Sequence, residues 1–160
     1  MPKTVIVNST PLIALAGIGE LEILRSVYGQ INIPKAVYNE VTVKSGKVSD
    51  AVRAADWINI VEIKDVDSKK MYKAKLHAGE VEVMILAQEM DADLVIIDDN
   101  AAKKTASYLG LTVVGTMAVL LKAKELKIIC DVSSYIDKLL ADAFYVSPKV
   151  ISIVKDLAEE

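Results

Sequence analysis

Cysteine, histidine and tryptophan each occur only once in the 160-residue chain, as Cys130, His77 and Trp57. A lone cysteine excludes an internal disulfide and fits a reducing compartment, so a cytoplasmic location is expected. Nor can a histidine-based dyad be assembled around it, so Cys130 reads as a small buried apolar group. A lone histidine, with no second imidazole or thiol to join it, is a poor start for a zinc site, and His77 reads as a surface residue. Trp57 reads as a core anchor beside the third strand. The chain also lacks Gly-x-Gly-x-x-Gly and phosphate-loop motifs, which leaves nucleotide cofactors unsupported. No apolar run approaches the roughly 18 residues of a membrane helix. Met1-Pro2-Lys3-Thr4 leads straight into a strand, so no signal peptide is expected. Positive charge is scarce too. With 19 Lys and Arg against 22 Asp and Glu, the net charge is −3. That argues against a strongly basic, sequence-independent nucleic-acid binder. An enzyme that meets nucleic acid through a metal ion is still allowed.

What is present is a core. Hydrophobic residues make up 52% of the chain and charged residues 26%, enough for one globular domain. Short aliphatic runs at Val5–Val7, Ile31–Ile33, Ile58–Val61, Leu94–Ile97 and Thr112–Val114 read as strands, with helical stretches between them. Such alternation predicts right-handed crossovers and a central, mostly parallel sheet with helices on both faces. One domain over residues 1–160 is expected, with 131–160 a helical C-terminal extension. Gly110 is placed as the glycine that ends the helix after the fourth strand.

The most informative stretch is Leu94-Val95-Ile96-Ile97-Asp98-Asp99-Asn100. Four aliphatic residues in a row suit a strand buried on both faces. Ligand crevices of open parallel sheets lie outside the carboxyl ends of the strands, which is where Asp98 and Asp99 fall. Two adjacent carboxylates repel, and a divalent cation relieves that repulsion. The plainer alternative is that Asp99 or Asn100 caps the following helix.

Helical phase nominates further acids. On the helix from Pro34 to Val43, with Val37 at 0°, Glu40 falls at about 300°, inside the apolar arc. On the helix after Gly79, with Met84 at 0°, Glu80 falls at about 320° and Glu82 at about 160°. Glu80 is therefore the inward candidate, and Glu82 is expected on a solvated face. The end of the first strand adds Asn8, Ser9 and Thr10. Thr10 is placed as a helix cap with Pro11 at the first helical position, and Thr116 as the cap of a later helix. Oxygen ligands with no accompanying His or Cys suit Mg²⁺ or Mn²⁺, which can activate water at a phosphodiester.

Val5-Ile6-Val7-Asn8-Ser9-Thr10-Pro11-Leu12-Ile13, Ile33-Pro34-Lys35-Ala36-Val37-Tyr38-Asn39-Glu40-Val41, Gly79-Glu80 and Ile96-Ile97-Asp98-Asp99, in that order, resemble the PIN-domain family, over about residues 4 to 145. The closing Leu109-Gly110-Leu111 and Gly115-Thr116 segments are similar to those of a prokaryotic subfamily. The resemblance implies an α/β/α sandwich and a metal-dependent ribonuclease, often the toxin of a toxin–antitoxin pair. It further implies a catalytic set of Asn8, Glu40, Glu80, Asp98 and Asp99. Glu40, Glu80, Asp98 and Asp99 would hold Mg²⁺ or Mn²⁺. Where the family usually has an acid at the end of the first strand, this chain has Asn8, which can ligate but brings no charge. Ser9 and Thr10 would orient a water or a phosphate. Lys103 and Lys104, or Lys69, Lys70, Lys73 and Lys75, would meet the charge of an RNA substrate. A second expectation is a PIN-like binding module without turnover, acting through a protein or RNA partner. The apolar tail, with Tyr135, Ile136, Leu139, Leu140, Phe144, Tyr145, Val150, Ile151 and Val154, suggests a homodimer.

Overall fold

The computed structural model describes residues 2–68 and 76–160. Five strands form one sheet: β1 (Val5–Val7), β2 (Ile31–Pro34), β3 (Ile58–Val61), β4 (Leu94–Ile96) and β5 (Val113–Val114). Their order across the sheet is β3-β2-β1-β4-β5, and every pair is parallel. The two central strands are aligned Val5 to Leu94, Ile6 to Val95 and Val7 to Ile96. All six of these residues are buried, as strands covered by helices on both faces require.

Nine helices surround the sheet among the described residues: α1 (Ser9–Gly17), α2 (Glu22–Tyr28), α3 (Lys35–Thr42), α4 (Lys47–Ala54), α5 (Ala78–Glu89), α6 (Asn100–Tyr108), α7 (Thr116–Glu125), α8 (Ser133–Ala141) and α9 (Pro148–Leu157). One packed group comprises α1, α3, α4 and α5; another runs from α2 through α7 to α9. The fold is the expected three-layer α/β/α sandwich. The sequence also reads as helical from about Lys69 to Met90; the first part of that range lies outside the described residues, and within the rest α5 covers Ala78–Glu89.

Several local expectations need correction. Helix α1 starts at Ser9, with Asn8 rather than Thr10 at the N-cap. Pro11 can sit in the third helical position because the first four N–H groups of a helix have no intrahelical partner. Thr116 is likewise the first residue of α7 and not its cap, which is Gly115. Cys130 is exposed: it lies in the turn between α7 and α8, beside Ile129, which carries the burial there at 6% exposure. Trp57 is buried, as read. His77 is exposed, also as read. Gly110 follows the C-cap of α6 with φ +80°, the left-handed turn for which glycine is suited.

The last two helices are tied to the domain through Glu160. Its carboxylate accepts hydrogen bonds from the backbone N–H groups of Val132 (2.8 Å) and Ser133 (2.9 Å) and pairs with Lys124 Nζ at 2.8 Å. Together with a hydrogen bond from the Ser133 hydroxyl, these contacts hold the Glu160 carboxyl down at about 2. α9 is capped by Ser147, whose Oγ accepts from Val150 N, with Pro148 at the first helical position.

Candidate active site

β1 is the switch point of the sheet: the chain runs outward from it through β2 and β3 on one side, and through β4 and β5 on the other. In open parallel sheets the ligand crevice opens at such a point, beyond the carboxyl ends. Asn8 and Asp98 follow the two strands that meet there, and the Asn8 N–H donates to Ile96 O at 2.9 Å to close the ladder.

Asp98 is held from the start of α7. Its Oδ1 accepts the Thr116 N–H at 2.8 Å, and its Oδ2 accepts the Thr116 hydroxyl at 2.6 Å. Both bonds lock the carboxylate in one orientation, each contributing about 1.5–3 kcal/mol as bonds to a charged group. Gly115 makes the approach possible. A Cβ there would lie 2.8 Å from Asp98 Oδ1 and 2.9 Å from Lys103 Nζ. Carboxylate and ammonium therefore both lie over the bare glycine backbone. Lys103 is half-buried and lines this cleft, whereas Lys104 is exposed and is not among its lining residues. Asp99 is exposed, and its Oδ2 accepts from Ala102 N at 2.9 Å, so it caps α6.

A second set gathers where α1 and α5 begin. Ser9 is 4% exposed, and its Oγ is the one fully buried side-chain polar atom without a hydrogen-bond partner among the described residues. α5 comes near this set at Gly79, where a Cβ would stand 3.5 Å from Ser9 Oγ and 3.7 Å from Glu40 Oε1. Glu40 is exposed rather than turned into the core. It sits at the edge of the apolar arc of α3, where its carboxylate keeps its water and reaches over to the N-terminus of α5. Glu80 is buried at 8% exposure, as its phase implied, and its Oε1 accepts the His77 N–H at 3.0 Å.

Glu82 overturns the phase argument. It is 6% exposed, not solvated, and its Oε1 accepts the Ala36 N–H at 3.0 Å. α5 is buried all round from Gly79 to Ala87, packed on α3 and against β1 and β2, so angle around the helix no longer separates wet from dry. Pro34 offers no side chain to cap α3, and Glu82 supplies an acceptor for that helix start. Sequence phase alone could not see this, because the acceptor comes from another element.

The cleft of about 850 Å³ beside Asp98 is lined by Thr10, Asp99 and Lys103 at one end and by the α8–α9 connection at the other. Among the described residues, no group of three His, Cys, Asp or Glu side chains is arranged to hold a metal. The donors are nonetheless of the right kind. They are hard oxygens, and Mg²⁺ commonly takes one or two carboxylates and leaves its other positions to water and substrate phosphates. Ser9 Oγ, buried without a partner, adds one more oxygen to this region. Lys69, Lys70, Lys73 and Lys75 lie outside the described residues.

A family model described as PIN domain matches residues 4–160. The chain belongs to the PIN-domain family. No curated protein matches it. The match takes in the α8–α9 segment, beyond the residues that carried the resemblance, and the parallel sheet is that of a nuclease-type fold. No helix of this PIN domain, among the described residues, is long and apolar enough to cross a membrane.

Proposed function

We propose that this PIN domain is an endoribonuclease that hydrolyses phosphodiester bonds of single-stranded RNA with the help of Mg²⁺ or Mn²⁺. The observation that carries this reading is the buried, unpartnered Ser9 hydroxyl between the ends of β1 and α3 and the start of α5. Leaving a hydroxyl unsatisfied costs about 1–3 kcal/mol, and such groups call for a functional reason. One or two carboxylates among Asp98, Glu80 and Glu40 would hold the cation, with Asp99 and Asn8 near it and its other positions left to water and substrate phosphate. The cation would activate a water and stabilise charge on the phosphoryl group.

The chain's own residues have separable tasks. Thr116 fixes the direction of the Asp98 lone pairs. Lys103, beside Asp98, meets the phosphate charge that the net-acidic chain otherwise repels. Ser9 and Thr10 orient a water or a phosphate oxygen at the α1 terminus, whose unpaired N–H groups favour anions. In a toxin–antitoxin pair, a partner protein would cover this cleft. A cytoplasmic location and a homodimer through the tail complete the reading.

Cleavage of labelled single-stranded RNA in Mn²⁺ tests it. Asp98→Asn should lower the rate at least ~100-fold, the scale of losing one electrostatic contact to a transition state. Mn²⁺ titration calorimetry gives a readout independent of turnover: heat for the wild type that weakens in Glu80→Gln. A second reading, a PIN-like module that binds a protein or RNA partner without turnover, is favoured by the uncharged Asn8. RNA binding without cleavage, and no Mn²⁺ heat at millimolar metal, would select it.

A further inference from the structure

We propose that Tyr145 is a stacking platform for one unpaired base of the substrate strand, next to the phosphate at Asp98; this rests on the nuclease reading above. The cleft continues from the carboxylate end to Phe144, Tyr145 and Val150. Its volume of about 850 Å³ far exceeds a phosphate and falls in the ~300–1,000 Å³ range of sites that enclose a nucleotide-sized ligand. Ile13, Met117 and Leu121 give it apolar walls, which suit a base rather than a backbone.

Tyr145 is 83% exposed, although it stands on this wall. The backbone around it is fixed. Phe144 N–H donates to Leu139 O at 3.0 Å, Val146 is buried, and Ser147 caps α9. An open ring on a held backbone presents a large flat surface at small conformational cost. Asp142 shares the wall, so a phosphate chain is repelled along the cleft. Lys103 is the basic side chain among its lining residues. The strand must therefore pass with its phosphate at Lys103 and a base turned in toward Tyr145. A base inside a duplex is already stacked and cannot turn, so the platform selects single strands. Every base has a π face, so the selection tolerates sequence.

The test uses a short phosphorothioate-linked RNA carrying one 2-aminopurine, with Mg²⁺ and the full chain. Wild type should bind it and quench the 2-aminopurine. Tyr145→Ala should weaken binding by about tenfold or more, the scale of one lost base stack, and abolish the quench. Tyr145→Phe should restore both, and a blunt duplex should not distinguish the variants. Tyr145→Ala behaving as wild type would overturn the platform, as would Tyr145→Phe failing like Tyr145→Ala, or no binding by wild type. Cleavage of unmodified RNA is scored separately. Quenching without cleavage keeps the platform and removes the nuclease reading, whereas cleavage without quenching does the reverse.

Discussion

Gly115 works by having no side chain. Its φ of −109° is one any residue adopts, so Gly115→Ala tests contact rather than backbone strain. The added methyl meets Asp98, a short side chain held by two bonds, so Asp98 must leave Thr116. We expect Gly115→Ala to lower RNA cleavage tenfold or more while costing about 1–3 kcal/mol of stability, as overpacking does, read in parallel nuclease and urea-unfolding assays. Glu82 belongs to the same scale with the opposite outcome. Glu82→Ala leaves the Ala36 N–H without its acceptor, and urea unfolding should show a loss of about 1–3 kcal/mol. Legibility in the sequence divides along this line. Glu80 was read as inward and is buried, although the wheel did not single it out, since α5 is buried all round from Gly79 to Ala87. The burial of Glu82 and the Thr116 clamp on Asp98 were not readable, because each depends on two segments that meet only in the fold.

Among elements, α8 and α9 are tied to the domain by one residue's carboxylate as well as by their buried side chains. Their attachment through Glu160 has a pH signature. Its carboxyl, at about 2 in the folded chain against an ordinary 4.5, contributes stability that is whole above about 4.5. That contribution falls away as pH drops toward 2. Melting curves of wild type and Glu160→Gln should differ at neutral pH and converge as the pH is lowered through that window. Strand direction was legible for a physical reason: aliphatic runs separated by helices leave parallel crossovers as the connection, whereas the order of the strands across the sheet was not read from the sequence. Helix starts were less legible. Pro11 suggested a start at Thr10, yet proline is tolerated throughout the first turn, and α1 begins earlier.

For the whole molecule, the proposed site draws its acids from α3, α5 and the end of β4, and a cation held there would couple binding to folding. Millimolar Mn²⁺ should raise the melting temperature of the wild type, since a ligand that binds only the folded chain stabilises it. The rise should shrink in Glu80→Gln. The tail buries Ile136, Leu139 and Val154 while leaving Leu140, outside the cleft, at 42% exposure. The composition of that tail showed an apolar excess, but only coordinates could divide it between inner packing and open surface. Sedimentation at micromolar concentration should give a dimer if the open part is a subunit contact.

The pairing of Val5 with Leu94 also sets an order of events at the ribosome. At roughly 5–20 residues per second, β4 leaves the exit tunnel about 5 to 20 seconds after β1. Asp98 follows, and Thr116 after it. A nascent chain therefore displays Ser9 and Glu40 well before it owns the carboxylate that finishes the crevice. Translation supplies its own delay, and a cell making this protein meets the assembled site only once most of the chain has been synthesised.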